Sequence, residues 1–237
     1  METTKVAIIG LGTVGSGVAQ VLLSHGDRIA CQAGRPLELA TIIVTDVEKP
    51  RSLQLPEGLL SSDLESLIND PAIPVVIQLI GGLEPARTIM LRLLESGKDV
   101  ITANKALLAE HGSELFERAR QLGQSIAFEA SVCGGIPIVT AIGQSLAANR
   151  IESLCGILNG TSNYIMTRMT EEGVGYEEAL AEAQQRGYAE ADPTLDVDGS
   201  DAAQKLAILV QLSYRTEVSW QSIPCTGIEQ LSLDDLQ

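Results

Sequence analysis

The chain has 237 residues, with 16 Lys+Arg against 31 Asp+Glu, for a net charge of −15 with His neutral. That balance argues against a nucleic-acid binder, which needs a basic surface to displace counterions from phosphate, and against attraction to anionic lipid. A hydrophobic fraction of 45% and a charged fraction of 20% describe a globular chain with core material for one large domain or two small ones. Apolar runs are short and broken by Gly, Pro or charge, so none reaches the roughly 20 residues that span a bilayer. No basic region followed by an apolar one opens the chain, so no secretory signal is expected. Cys31, Cys133, Cys155 and Cys225 lie far apart without CxxC spacing, which predicts reduced thiols and a cytoplasmic location.

In chain order, Lys5 to Ile9 reads as a strand ending in Gly10-Leu11-Gly12-Thr13-Val14-Gly15, followed by a helix with Val14, Val18, Val21 and Leu22 at helical spacing. Arg28 to Pro36 reads as a loop insertion and Leu37 to Val44 as the second strand, ending near Asp46. Pro74 to Ile80 is a third strand, Arg87 to Ser96 a helix, and Asp99 to Thr102 a fourth strand with Lys105 just past its end. His111 to Leu122 is helical and Ser125 to Glu129 a fifth strand. Strands alternating with helices predict a doubly wound, Rossmann-type parallel sheet with right-handed crossovers.

The pattern changes near residue 130, which predicts domains over 1–130 and 131–237. Ile138 to Ala147 reads as a buried helix, Ile151 to Leu158 as a strand opening an α+β unit, and Thr161 to Thr170 and Tyr176 to Arg186 as helices. Gly187 to Gly199 is turn-rich and acidic, and Ser200 to Tyr214 is helical. Weak strand-like pieces lie at Gly227-Ile228 and Leu231, and no closing element is evident.

Gly10, Gly12 and Gly15 form GxGxxG between a strand and a helix. In that setting the first glycine permits the tight turn, the second admits a pyrophosphate, and the third lets the helix pack on the strand. The helix N-terminus then offers N–H groups and a positive dipole end to phosphate. Asp46, 31 residues after Gly15, is the candidate for the ribose hydroxyls, whereas Lys49 and Arg51 could serve a 2′-phosphate, so NAD and NADP stay open. Lys105 stands at the carboxyl end of a parallel strand, where open α/β sheets bind ligands; its plainer role is a solvated loop lysine.

From Gly187 five acids, Glu190, Asp192, Asp196, Asp198 and Asp201, precede Lys205. An EF-hand fails, because a loop begun at Asp196 places Asp201 and Ala207 where Gly and Glu are needed. Two readings remain. The acids start an exposed helix, with Asp201 and Lys205 an i,i+4 pair worth about 0.3–0.5 kcal/mol, or they capture the ammonium of an amino-acid substrate while Lys205 faces the reacting oxygen.

The motifs GLGTVG, TANK, EASVCGGIPI, GILNGTSNYI and GYAEADPTLDVDGSDAAQKLAIL together resemble homoserine dehydrogenase over nearly the whole chain. The resemblance implies NAD(P)-dependent interconversion of L-aspartate 4-semialdehyde and L-homoserine, on the route to threonine and methionine, by a homodimer. It implies Lys205 as proton donor to the aldehyde oxygen and Lys105 as a second active-site lysine that also meets the cofactor. Glu190, Asp196 and Asp201 become substrate-binding acids. Gly10, Gly12, Thr13, Val14, Gly15 and Gly187 become cofactor contacts, and a sodium ion maps to Glu129 with the backbones of Val132, Gly134 and Ile136. Thr161 and Ser162 read as helix caps, with Gly160-Thr161 also lining the pocket.

Two departures stand out. Thr45 occupies a place where the family usually has Arg, which weakens an NADP assignment, and only 32 residues follow Lys205, so the resemblance implies a truncated enzyme or a fragment with an incomplete second domain. Two rivals follow: a catalytically impaired NAD(P)-binding fragment or partner subunit, and a thiol-dependent reductase using Cys133. The second lacks a base, since His25 and His111 share no motif with Cys133.

Overall fold

The computed structural model describes residues 2–236. The chain divides between Ser131 and Val132 into two compact units.

In the first unit six strands form one parallel sheet in the order β3-β2-β1-β4-β5-β6. They are β1 (Thr4–Ile9), β2 (Leu37–Ile43), β3 (Leu60–Ser61), β4 (Val75–Gln78), β5 (Asp99–Thr102) and β6 (Ile126–Ala127). The chain builds outward from β1 in one direction and then in the other, which opens a crevice at the carboxyl ends of the central strands. β3 is the strand the sequence does not disclose. Two residues are too few to show a period, and β3 exists because Ile42 N–H bonds Leu59 O at 2.8 Å and Val44 N–H bonds Ser61 O at 2.9 Å. A short helix, α3 (Leu64–Asn69), follows it.

Register and pleat explain the core. Ile8 pairs with Ile42 and with Ile77, so their side chains share one face, where Leu59 and Ala19 complete a buried cluster. Ala19 belongs to α1 (Thr13–Ser24). Half of the predicted stripe faces inward: Val18 and Leu22 pack against that cluster beside buried Gly15 and Ala19, while Val14 and Val21 are 54% and 48% exposed. Small residues let the helix approach the sheet, and that approach sets its rotation. The expected loop at 28–36 is mostly α2 (Gly26–Ala33), ended by Gly34 at φ +71. No residue of α2 is fully buried, and at eight residues the helix is too short for its spacing to stand out from a loop.

Helices α4 (Ala86–Glu95) and α5 (Lys105–Leu122) complete the alternation. α5 starts at Lys105 rather than at His111 because Asn104 caps it. The Asn104 Oδ1 accepts from Leu107 N–H at 3.0 Å, and its Nδ2 donates to Ile80 O and Gly82 O. The expected fifth strand is cut short, since Glu129–Ser131 forms a 3-10 turn.

Lys98 is 1% exposed, and its Nζ donates to Asp70 O at 2.6 Å and Ile73 O at 2.9 Å, tying the end of α3 to the turn before β4. Lys98→Met is expected to lower unfolding free energy by about 2–4 kcal/mol, read from the urea midpoint, because two carbonyls lose their donor. Burial pushes the Lys98 ammonium below the ordinary lysine range, with Asp70 opposing. The folded chain therefore releases this proton at a lower pH than the unfolded chain does. Between the two values stability from this group rises with pH, and it is lost as pH falls through the folded value. The methionine variant should lack that slope.

The second unit holds α6 (Ile138–Thr140), which runs into a π-helical turn at Ala141–Ser145, then α7 (Gly160–Glu172), α8 (Tyr176–Gln185), α9 (Thr194–Val197) and α10 (Ser200–Tyr214). Its core joins Ile165 and Met169 of α7, Ala179 and Ala183 of α8, and Ala189, Val197 and Ile228. Three expectations fail here. The helix expected over 138–147 buries only Ile142. The strand expected over 151–158 is absent, and Gly227-Ile228 forms no strand but straps α9, with Ile228 N–H on Val197 O at 2.9 Å. Among its described residues this unit holds helices and no strand, because a strand forms only where another pairs with it.

Candidate functional site

At the carboxyl edge of β1 the glycine turn has the shape its spacing implies. Gly10 adopts φ +96, and a Cβ there would stand 2.9 Å from Ile80 Cγ2 and 3.0 Å from Leu79 O. A Cβ on Gly15 would fall 2.1 Å from Gly10 O, so only glycine lets α1 meet the turn. Gly12, the N-cap of α1, has no side-chain capping bond, and a Cβ on it would meet nothing within 4 Å. Open space beside an uncapped helix N-terminus, at the switch point of a parallel sheet, fits the pyrophosphate of a dinucleotide. Thr13, Val14 and Gly15 supply the first-turn N–H groups.

The ribose candidate lies beyond the end of β2. Asp46 Oδ1 accepts from Glu48 N–H at 2.9 Å and Lys49 N–H at 3.2 Å. Arg51, a candidate for a 2′-phosphate, folds back on the same loop and donates to Asp46 O, Val47 O and Lys49 O.

In the second unit a cavity of about 550 Å³ is lined by residues that include Asn159, Thr161, Tyr188, Asp196, Asp201 and Lys205. Lys205 Nζ donates to Asp201 Oδ2 at 2.6 Å and to Leu158 O at 2.7 Å. Side-chain exposures of 19% for Lys205 and 9% for Asp201 take this pair out of the solvated i,i+4 class. Asn159 Nδ2 donates to Asp196 Oδ1 at 2.7 Å and Asp201 Oδ2 at 2.9 Å. The site thus presents one ammonium and two carboxylates on a partly apolar wall, an arrangement suited to a small zwitterion.

Comparison with known proteins agrees with this pairing of a dinucleotide turn and an acid–lysine cavity. The family model described as the homoserine dehydrogenase NAD binding domain matches residues 10–129, and the homoserine dehydrogenase model matches residues 137–237. The chain belongs to the homoserine dehydrogenase family. It is 46% identical to the homoserine dehydrogenase of Synechocystis sp. over 99% of its own length and 54% of that protein's. It is 44% identical to that of Bacillus subtilis, over 100% and 54%. The crystal structure of a homoserine dehydrogenase from Thiobacillus denitrificans superposes with a TM-score of 0.90 at 42% identity, covering 99% of this chain and 54% of that one. The chain spans about half the length of the curated relatives it matches.

Within this chain the five acids separate. Asp192 Oδ1 accepts from Thr194 N–H and Oγ1, which holds its carboxyl below the usual range, and Asp198 Oδ1 accepts from Ser200 N–H; both hold turns. Asp196 and Asp201 reach the cavity. Glu190 is exposed and stands outside its lining, with its carbonyl accepting from Gln184 Nε2. Gly187, at φ +75, ends α8: its N–H bonds Gln184 O while Tyr188 N–H bonds Ala183 O at 2.8 Å. That turn delivers Tyr188 O to the Thr161 hydroxyl at 2.8 Å.

Thr161 and Ser162 do not cap α7. Asn159 does, its Oδ1 accepting from Ser162 N–H at 2.7 Å, while Ser162 Oγ donates to Asp196 O. Asn159 is the cavity-lining residue that the sequence reading misses. Lys105 is the first residue of α5, at the carboxyl edge of β5 in the first unit. The sodium ion expected at Glu129 with the backbones of Val132, Gly134 and Ile136 has no support from the comparisons, and among the described residues no three His, Cys, Asp or Glu side chains cluster as metal ligands. Cys133 is half-buried at φ +57, and both histidines belong to the first unit.

Proposed function

We propose that this chain carries the NAD(P)-dependent interconversion of L-aspartate 4-semialdehyde and L-homoserine, a step toward threonine and methionine. The observation that carries the reading is the nearly buried Asp201–Lys205 pair beside Asp196 in one cavity. The glycine turn and the first-turn N–H groups of α1 hold the dinucleotide, with Asp46 toward the ribose. When bound, the nicotinamide exchanges hydride with the substrate carbon. Asp196 and Asp201 receive the substrate ammonium. Lys205 donates a proton to the aldehyde oxygen as negative charge develops on it, and takes the proton back in the reverse direction. Lys105, at the carboxyl edge of the sheet, is the second active-site lysine.

A second reading draws on the length comparison: a chain spanning 54% of its relatives could serve as a dinucleotide-binding partner subunit without turnover. Absorbance of NAD(P)H with L-homoserine separates the two. Lys205-dependent formation of reduced cofactor supports the enzyme, and dinucleotide binding without turnover supports the partner subunit. The homodimer rests on the resemblance and the cytoplasmic location on the cysteine spacing, and sedimentation of the purified chain tests the former. No helix among the described residues is long and apolar enough to cross a membrane.

A further inference from the structure

Asn159 is 8% exposed, and its amide is engaged at both ends. Its oxygen caps α7 through Ser162 N–H. Its nitrogen stands between two carboxylates from two other helices, Asp196 of α9 and Asp201 of α10. Like charges this close repel, and an N–H donor shared between them offsets that repulsion.

The two carboxylates are not equally secured. Asp201 Oδ2 also accepts from Lys205 Nζ at 2.6 Å, and Lys205 has a second hold on Leu158 O. The Asp196 carboxylate has Asn159 as its one hydrogen-bond partner among the described residues. Nor is the bridge needed to place α9 on α7, because Ser162 Oγ already donates to Asp196 O at 2.7 Å. The nitrogen of Asn159 therefore acts on side-chain direction and not on the path of the chain.

We infer that Asn159 is a positioning residue that locks the Asp196 carboxylate against the Asp201–Lys205 pair, so that both acids face the ammonium of the substrate. The inference rests on the proposed substrate class. Only an amide serves both ends. Serine or aspartate caps a helix about as well as asparagine does, but serine cannot bridge the carboxylates, and aspartate adds a third negative charge between them.

The experiment compares Asn159→Ser and Asn159→Asp with the unaltered chain by calorimetric titration of L-homoserine, steady-state kinetics, thermal melting and crystallography. The serine variant should melt within about 2 °C of the parent, since the cap survives, and should bind L-homoserine about tenfold more weakly, with KM rising more than kcat falls. The aspartate variant should bind more weakly still. Asp196→Ala combined with Asn159→Ser should weaken binding by less than the sum of the two single losses, because the asparagine acts in large part through that acid; additive losses would overturn the inference. In crystals of the serine variant the Asp196 carboxylate should swing away from Asp201. An Asp196 that stays in place overturns the positioning role whether or not ligand is present, whereas a parent chain that binds no L-homoserine overturns the substrate reading.

Discussion

Lys205→Ala is expected to lower homoserine-dependent turnover by about 10²–10³-fold while leaving dinucleotide affinity unchanged, since one preorganised donor to a developing oxyanion is worth roughly that much. The ammonium is held by Asp201 Oδ2 and Leu158 O, so its direction is set before substrate arrives. Lys205→Arg should not rescue the rate. The guanidinium keeps the charge, but it is a planar fork that does not give up its proton and cannot take the place of a compact ammonium at the same two contacts. The alanine variant should lose about 1.5–3 kcal/mol of stability, the range for one hydrogen bond to a charged group, because Asp201 retains the Asn159 donor. Kinetics at saturating cofactor, with dinucleotide affinity measured separately, decide the matter. Turnover within tenfold of the parent would remove Lys205 from the chemistry.

Gly15→Ala is the second large effect. The new Cβ would meet Gly10 O at 2.1 Å, and that neighbour is backbone, so no side chain can rotate aside. Gly10 has no room to retreat, since its own Cβ position is pressed by Ile80 and Leu79. Either α1 lifts from the sheet or the turn distorts. A loss of about 1–3 kcal/mol is expected from the overpacking. Dinucleotide affinity should fall by about 100-fold, because displacing positioned groups by roughly 1 Å costs on that order. Gly17→Ala is the control. It lies in the same helix with nothing within 4 Å of its Cβ position, so it should raise stability by about 0.8–1 kcal/mol and leave nucleotide binding alone. Chemical denaturation and fluorescence titration of both variants test the pair, and equal behaviour would show that the close approach at Gly15 is not what the turn depends on.

Much of the first unit is legible in the chain because its signals are local. A strand of apolar residues, three glycines at fixed offsets and a following helix can be read within a dozen positions, and the alternation repeats as far as β5. The misreadings share a cause. Val14 and Val21 have the spacing of a buried face, yet the helix turns on Gly15 and Ala19 because small residues permit the closest approach. β3 is two residues long, and no residue of α2 is fully buried. The strand expected over 151–158 has the right composition but no partner strand among the described residues of its unit. Each of these depends on what packs opposite, which no local pattern records.

The candidate site divides in the same way. By itself the sequence determines the glycine turn, the offset that makes Asp201 and Lys205 neighbours on one helix, and a crowd of five acids just before that lysine, since helical geometry brings together residues four apart. Tertiary structure alone decides that the pair is nearly buried, that Asp192 and Asp198 hold turns while Asp196 and Asp201 face the cavity, and that Asn159 joins those two across 37 and 42 residues. A charge four positions away is a matter of one helix. A donor forty positions away meets its acceptors only after α7, α9 and α10 have packed.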